Sequence, residues 1–312
     1  EANLGTTDNY GCRFRALIAD WRQQFSRAGR TSATFPFLFV QLSPYHGDKV
    51  DGFGGFPCAV EGGSTHGSLA AQRLVQLEAL RLEKVGMASA VDLGDAASPY
   101  WPGSVHPRHK QPVGARLALE ARRLAYGEAG LVSRGPQIEH VEMLPSDSTT
   151  GSYHSKNVRI VRLHWTSVGS GLQVALGAYS SVAFIATLNN TKTVPGAIMP
   201  TNLTKYTCDV YFNLGYNSSS AAGGCAPFVT AISYLPFDFP IVPLFNGEGF
   251  PAEPFMFNFT NFADLSKPQE PFDYWNPSLV SADGSTQLPV RTTSKETSLL
   301  LESEGGSGIH IK

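Results

Sequence analysis

Two short runs in this chain carry the residue types for acid–base chemistry: Ala90-Val91-Asp92-Leu93-Gly94-Asp95, and Gly103-Ser104-Val105-His106-Pro107-Arg108-His109-Lys110-Gln111. An imidazole titrates near neutral pH, so His106 can take a proton from a serine hydroxyl and return it to a leaving alcohol. Asp92 and Asp95 are the candidate acids to orient that ring, and Pro107 stiffens the backbone that carries it. A plainer reading stands beside this one: His106 as a surface or capping histidine, and Asp95 as a loop or helix cap. The other histidines (His46, His66, His109, His140, His154, His164 and His310) show no HExxH or comparable ligand spacing. No metal and no organic cofactor is expected.

The elements around these runs read as an α/β layer. Residues 12–26 place Phe14, Leu17, Ile18, Trp21 and Phe25 at helical spacing. Residues 35–43, FPFLFVQLS, form a continuous apolar run, as in a strand buried on both faces of a parallel sheet. A second helix is predicted over 67–84 and a second buried strand over 87–93. A third helix is predicted over 112–127, where Arg116, Arg122 and Arg123 are read as solvated or packing residues. In open α/β sheets functional groups gather at the carboxyl ends of the strands, where the loop bearing His106 starts. A parallel sheet of two strands is not a stable domain. Residues 1–130 therefore read as the second half of an α/β domain whose first strands lie elsewhere. Beyond Gly135-Pro136 short alternating or β-branched runs predict an antiparallel β-sandwich over 133–262. Residues 263–312 form a polar, proline-containing tail expected to dock on a neighbour.

Composition narrows the class. The 312 residues are 42% hydrophobic with a formal net charge of -2, which gives no case for nucleic acid or an anionic membrane as partner. No apolar run is long enough for a membrane span. The opening Glu1-Ala2-Asn3-Leu4 is neither an initiator methionine nor a signal segment. The reading is either a processed precursor or a sequence that starts partway through a longer protein. Sequons at Asn189, Asn202, Asn217 and Asn258, with Cys12, Cys58, Cys208 and Cys225 in no CxxC pair, point to glycosylation and an oxidising secretory route. The expected location is secreted, at an extracellular surface or lysosomal. Cys208 and Cys225 bracket a Gly/Ser-rich loop and are the expected disulfide; Cys12 could pair with Cys58 or with a separate segment.

The runs YGCRFRALIADWR, FPFLFVQLSPY, ASAVDLGD, SVHPRHKQPVGARLALEARRLAYG and APFVTAISYLPFDFPIVPLFN resemble the sialate O-acetylesterase family of SGNH-type carbohydrate esterases. The motifs follow one another in family order from residue 1 to about 258, and the loop and helix after His106 are the most diagnostic. The fold class this implies is α/β plus all-β: the C-terminal half of an SGNH-type three-layer α/β hydrolase domain followed by an antiparallel β-sandwich. The activity it implies is hydrolysis of O-acetyl esters on sialic acids, of the 9-O-acetyl type, by serine–histidine chemistry. The family histidine carries over onto His106. Glu1 and Asn3 match a block near the site that positions substrate or the oxyanion. The family serine lies on a segment before that block, so it maps to no position here; Ser64 and Ser68 lack the strand-to-helix turn it needs. Where many SGNH enzymes place an acid three residues before the histidine, this chain has Gly103.

The implied partners are an O-acetylated sialic acid or related acetylated sugar, an N-terminal segment or chain carrying the serine, and a neighbouring subunit bound by the tail. The rival reading is a catalytically inactive esterase-fold glycoprotein in an extracellular or surface assembly. A third is a glycan-binding module built on the sandwich.

Overall fold

The computed structural model describes residues 7–45, 69–100, 104, 106–144, 158–175, 183–189, 192–199, 202–214 and 228–259. The expectations for Glu1, Asn3, Cys58, Gly103, Asn217, Cys225 and the tail 263–312 lie outside the described residues. All described elements belong to one compact unit, Glu1–Tyr274.

Its first part is layered. Helix α1 (Thr7–Ser26) packs on a parallel strand pair, β1 (Phe37–Gln41) and β2 (Val85–Ser89), with Phe37 opposite Val85 and Gln41 opposite Ser89. Ile18, Phe39, Ala79, Val85 and Met87 form a small buried core on that face, and the Phe14 ring meets Phe39 edge-on at 5.0 Å. Burying each large apolar side chain there is worth about 1.5–3 kcal/mol. The connection between the strands is α2 (Leu69–Gln76) running into a 3-10 turn, Leu77–Arg81. Helix α3 (Gln111–Leu124) covers the opposite face. It lies so close that a Cβ on Gly86 would sit 2.6 Å from Leu124 Cδ1 and 2.8 Å from Leu38 Cδ2. The strand predicted over 87–93 ends earlier, at Ser89, and turns before Asp92.

The second part is one seven-stranded antiparallel sheet, ordered β11-β9-β6-β7-β8-β4-β3, with a separate two-stranded ribbon, β10-β5. In chain order these are β3 (Gln137–Met143), β4 (Val158–Thr166), β5 (Leu172–Val174), β6 (Phe184–Leu188), β7 (Thr193–Met199), β8 (Thr207–Asn213), β9 (Val229–Tyr234), β10 (Leu244–Asn246) and β11 (Phe255–Asn258). The antiparallel architecture expected over 133–262 takes the form, among the described residues, of one large sheet rather than a pair of large ones. The sheet curls over itself instead, so that Trp165 of β4 meets Tyr234 of β9 and Phe255 of β11 at 6.0 and 5.7 Å. A single apolar cluster fills the curl.

Cys208 is a free, fully buried thiol, and Cys12 is free and exposed. The partner expected for Cys208, Cys225, lies outside the described residues. Strand alternation turns Cys208 into the curled core beside Val210 and Phe212, where the Trp165 indole N–H donates to its sulfur at 3.3 Å. Burial pushes the thiol up to about 12, so it is protonated and unreactive at neutral pH.

Buried Arg73 of α2 joins the two parts. Its guanidinium donates to the carbonyls of Leu42, Ser43, Phe237 and Asp238 at 2.7–3.1 Å. Desolvation lowers its pKa to about 10, with Asp238 opposing, so it stays charged at neutral pH. The Asp238 carboxylate accepts the Ala70 N–H at the start of α2. Two outcomes are expected. Arg73→Leu strands these carbonyls and lowers the unfolding free energy by about 3–5 kcal/mol in urea titrations, and a loss below about 1 kcal/mol would contradict this role. A thiol reagent applied to the folded protein labels Cys12 and leaves Cys208 unmodified until denaturant is added.

Candidate active site

The carboxyl ends of β1 and β2 are held by side chains. Ser89 Oγ donates to Gln41 Oε1 at 2.8 Å, and Gln76 brackets the end of β1, donating to the Val40 carbonyl at 3.2 Å and accepting the Leu42 N–H at 3.0 Å. On the far side of β2, α3 supplies Arg116 and Glu120, the two residues of that helix that are buried. Arg116 Nη1 donates to the Ser89 carbonyl at 2.6 Å, and its two Nη groups grip both Asp92 oxygens at 2.7 Å. Glu120 accepts the Met87 N–H at 3.3 Å and is itself held by Arg123 and Ser133. The outer edge of β2 is thus closed by a buried cation and a buried anion one helical turn apart.

From Asp92 the chain runs into the loop that carries His106. Gly94 lets that loop lie against Pro44 and Phe239, which a Cβ would approach to 2.8 and 2.9 Å. Asp95, nearly buried, takes Arg108 in a two-pronged ion pair: Nε to Oδ2 at 2.7 Å and Nη2 to Oδ1 at 2.9 Å. The same Oδ2 accepts the Arg108 backbone N–H at 3.1 Å. On the other side Ser98 Oγ donates to the His106 carbonyl at 2.6 Å. The His106-Pro107 dipeptide is therefore fastened at both ends, with Pro107 buried and His106 exposed. Hydrogen bonding from the Arg108 guanidinium holds the Asp95 carboxyl well below the usual carboxylate range.

Both candidate acids are engaged by arginines: Asp92 gives both oxygens to Arg116, and Asp95 gives both to Arg108. Arg116, read as a solvated or packing residue, is buried and fixes the strand end; Arg122 does lie at the surface, paired with Glu128. Ser98, Arg108 and Glu120 escaped the sequence reading, because a loop contact between residues 8 or 13 apart leaves no periodic trace. A polar pair at i and i+4 on α3 was the one available signal. His140 and His164 lie on β3 and β4, stacked with ring centroids 3.8 Å apart, and among the described residues no cluster of three His, Cys, Asp or Glu could hold a metal ion.

Of the sequons, Asn189 is exposed in the turn after β6. Asn202 points inward and donates Nδ2 to Asp209 at 2.8 Å, while Asn258 is half-buried in edge strand β11.

No protein-family model matches the chain. Over 147 residues it is 42% identical to the sialate O-acetylesterase of Homo sapiens, a stretch that is 46% of this chain and 26% of that protein. Over 157 residues it is 36% identical to the Rattus norvegicus sialate O-acetylesterase, 50% of this chain and 27% of that one. The match thus spans about a quarter of the length of these relatives. A crystal structure of a carbohydrate acetylesterase from Xanthomonas citri superposes with a TM-score of 0.56 at 25% identity, covering 82% of this chain and 48% of that one. The resemblance read from the motifs is borne out.

The Asp95 clamp has a definite pH signature. A carboxylate with a depressed folded pKa contributes its stabilisation above its unfolded pKa, near 4, and loses it as pH falls through the folded value. Protection of the Arg108 amide from hydrogen exchange, corrected for the intrinsic rate, is expected to stay level from pH 5 to 8 and to fall only in stronger acid. In Asp95→Asn that amide exchanges faster at every pH while α3 amides keep their rates; unchanged protection would contradict the clamp.

Proposed function

We propose that this relative of the sialate O-acetylesterases is part of a carbohydrate esterase that removes acetyl groups from sugars, with His106 as its general base. The observation that carries this reading is the fastening of His106-Pro107 at the carboxyl edge of a parallel strand pair. A backbone anchored on both sides by Ser98 and Asp95 supports this reading, because a proton-transfer group needs a fixed mount and a casual surface histidine does not.

In this reading the two layers around β1 and β2 belong to an SGNH-type domain, and the serine comes from polypeptide outside the described residues. His106 accepts the serine proton as the oxygen attacks the acetyl carbonyl. The sugar hydroxyl leaves with that proton, and an acetyl-enzyme remains. His106 then takes a proton from water, whose oxygen attacks the acetyl carbon and releases acetate and the free serine. With Asp92 and Asp95 both held by arginines, a backbone carbonyl or an acid elsewhere orients the ring. The substrate proposed is a 9-O-acetylated sialic acid, and the route proposed is secretory, with Asn189 the sequon best presented for a glycan.

The rival reading, an inactive esterase-fold glycoprotein, is favoured by the commitment of both local acids to arginines. One assay separates the two. In the full-length protein His106→Ala is expected to keep its thermal unfolding profile and to lose acetyl-ester hydrolysis by about 10²–10⁴-fold. Turnover equal to that of the unmodified protein removes His106 from the chemistry, and no turnover in either form supports the inactive scaffold.

A further inference from the structure

We propose that Tyr100 is a substrate-binding residue: its exposed ring is the platform on which the sugar of the acetyl ester rests while His106 works on the ester. This rests on the esterase reading above, to which it adds the side chain that recognises the sugar.

The loop that carries His106 has two arms, residues 95–100 and 106–108, and two residues tie them together. Asp95 closes the first arm into a turn, its carbonyl accepting the Ser98 N–H at 3.1 Å. It holds the second arm through the bonds that Arg108 makes to its carboxylate. The Ser98 hydroxyl reaches both arms as well. It accepts the Tyr100 N–H at 3.4 Å and donates to the His106 carbonyl at 2.6 Å. One oxygen thus bridges the backbones of Tyr100 and His106. Pro99, with its fixed φ, stiffens the step from Ser98 to Tyr100.

This mount sorts its side chains. Asp95, Ser104 and Pro107 are buried, whereas Tyr100 is 60% exposed and His106 and Arg108 are exposed with it. Asp95 raises the Arg108 pKa, and the Tyr100 phenol adds to this, so the phenol lies within electrostatic reach of that guanidinium. A tyrosine ring carries a large apolar area, and leaving it in water on an anchored loop suits a group set out for a ligand. The ligand it fits is a sugar. The electron-rich face of the ring meets the C–H groups of a pyranose, and the hydroxyl bonds to sugar hydroxyls. The other strongly exposed tyrosines lack this setting. Tyr126 follows the end of α3, and the Tyr206 ring has the Lys205 ammonium over it at 5.2 Å. The position also fits the proposed substrate. In a 9-O-acetylated sialic acid the ester hangs from the exocyclic side chain, so the pyranose binds to one side of the group that works on the ester.

Steady-state kinetics on the full-length protein test this with two esters, 9-O-acetylated N-acetylneuraminic acid and 4-nitrophenyl acetate, which has no sugar. Tyr100→Ala is expected to raise KM for the sugar ester about 3–10-fold, the range of an aromatic contact. Its kcat stays close to that of the unmodified protein, and 4-nitrophenyl acetate is turned over as before. Tyr100→Phe keeps most of the sugar affinity. An equal loss on both esters makes Tyr100 a prop for the loop and overturns the proposal, as does no change on either. Binding of the product, N-acetylneuraminic acid, followed by ligand-observed NMR, needs no turnover. A protein inactive on both esters whose sugar binding weakens in Tyr100→Ala keeps the platform and removes the esterase reading. An active one whose sugar kinetics and sugar binding ignore the substitution does the reverse, and an inactive one whose sugar binding ignores it loses both.

Discussion

A parallel strand pair leaves backbone donors and acceptors along its outer edges and at its carboxyl ends, and buried ones must find partners. This chain meets that constraint with side chains. Arg116 and Glu120 from one helix and Gln76 and Arg73 from another bond to backbone along β2 and at or just beyond the ends of β1 and β2, and Asp95 and Ser98 bond to backbone of the loop itself. The His106 loop is held by the last members of this set. Buried ion pairs of this kind add little net stability over apolar packing, but removing one partner is costly. Their effect here is to give the strand ends and the loop one arrangement.

The same set joins the two parts of the unit. Arg73 reaches the Phe237 and Asp238 carbonyls, the Arg116 guanidinium lies 5.9 Å from the Phe250 ring, and Val91, just past β2, belongs to the core of the curled sheet. Near these residues Arg134 pairs with Glu253, whose carboxyl burial pushes up and Arg134 holds down. The curled sheet thus sits on the residues that fix the candidate site, so its packing bears on where His106 lies.

Elements with a strong period were legible in the sequence. The helices predicted over 12–26 and 112–127 correspond to Thr7–Ser26 and Gln111–Leu124, and the run 35–43 contains β1. The segment over 67–84 gave way partly to a 3-10 turn, and β2 ended at Ser89, where Gln41, Arg116 and Ala90 take over the hydrogen bonding. The antiparallel texture was readable, but the curling of one sheet was not, because it depends on Trp165 reaching across to Phe255. Of the site, His106 was visible through its motif. The partners of Asp92 and Asp95 were not, since an arginine 13 or 24 residues away announces nothing until the loop closes. That Cys208 turns into the core was not readable, because bracketing a loop says nothing about which face of β8 a side chain takes.

The central claim is that His106 serves a serine on the same carboxyl edge. The most direct measurement is a structure of the full-length protein after reaction with an organophosphonate ester, which leaves a phosphonyl group on an activated serine. The account predicts one modified serine with its Oγ at about 3 Å from a His106 ring nitrogen. A modified serine out of reach of that ring, or active protein that takes up no phosphonate, would contradict it.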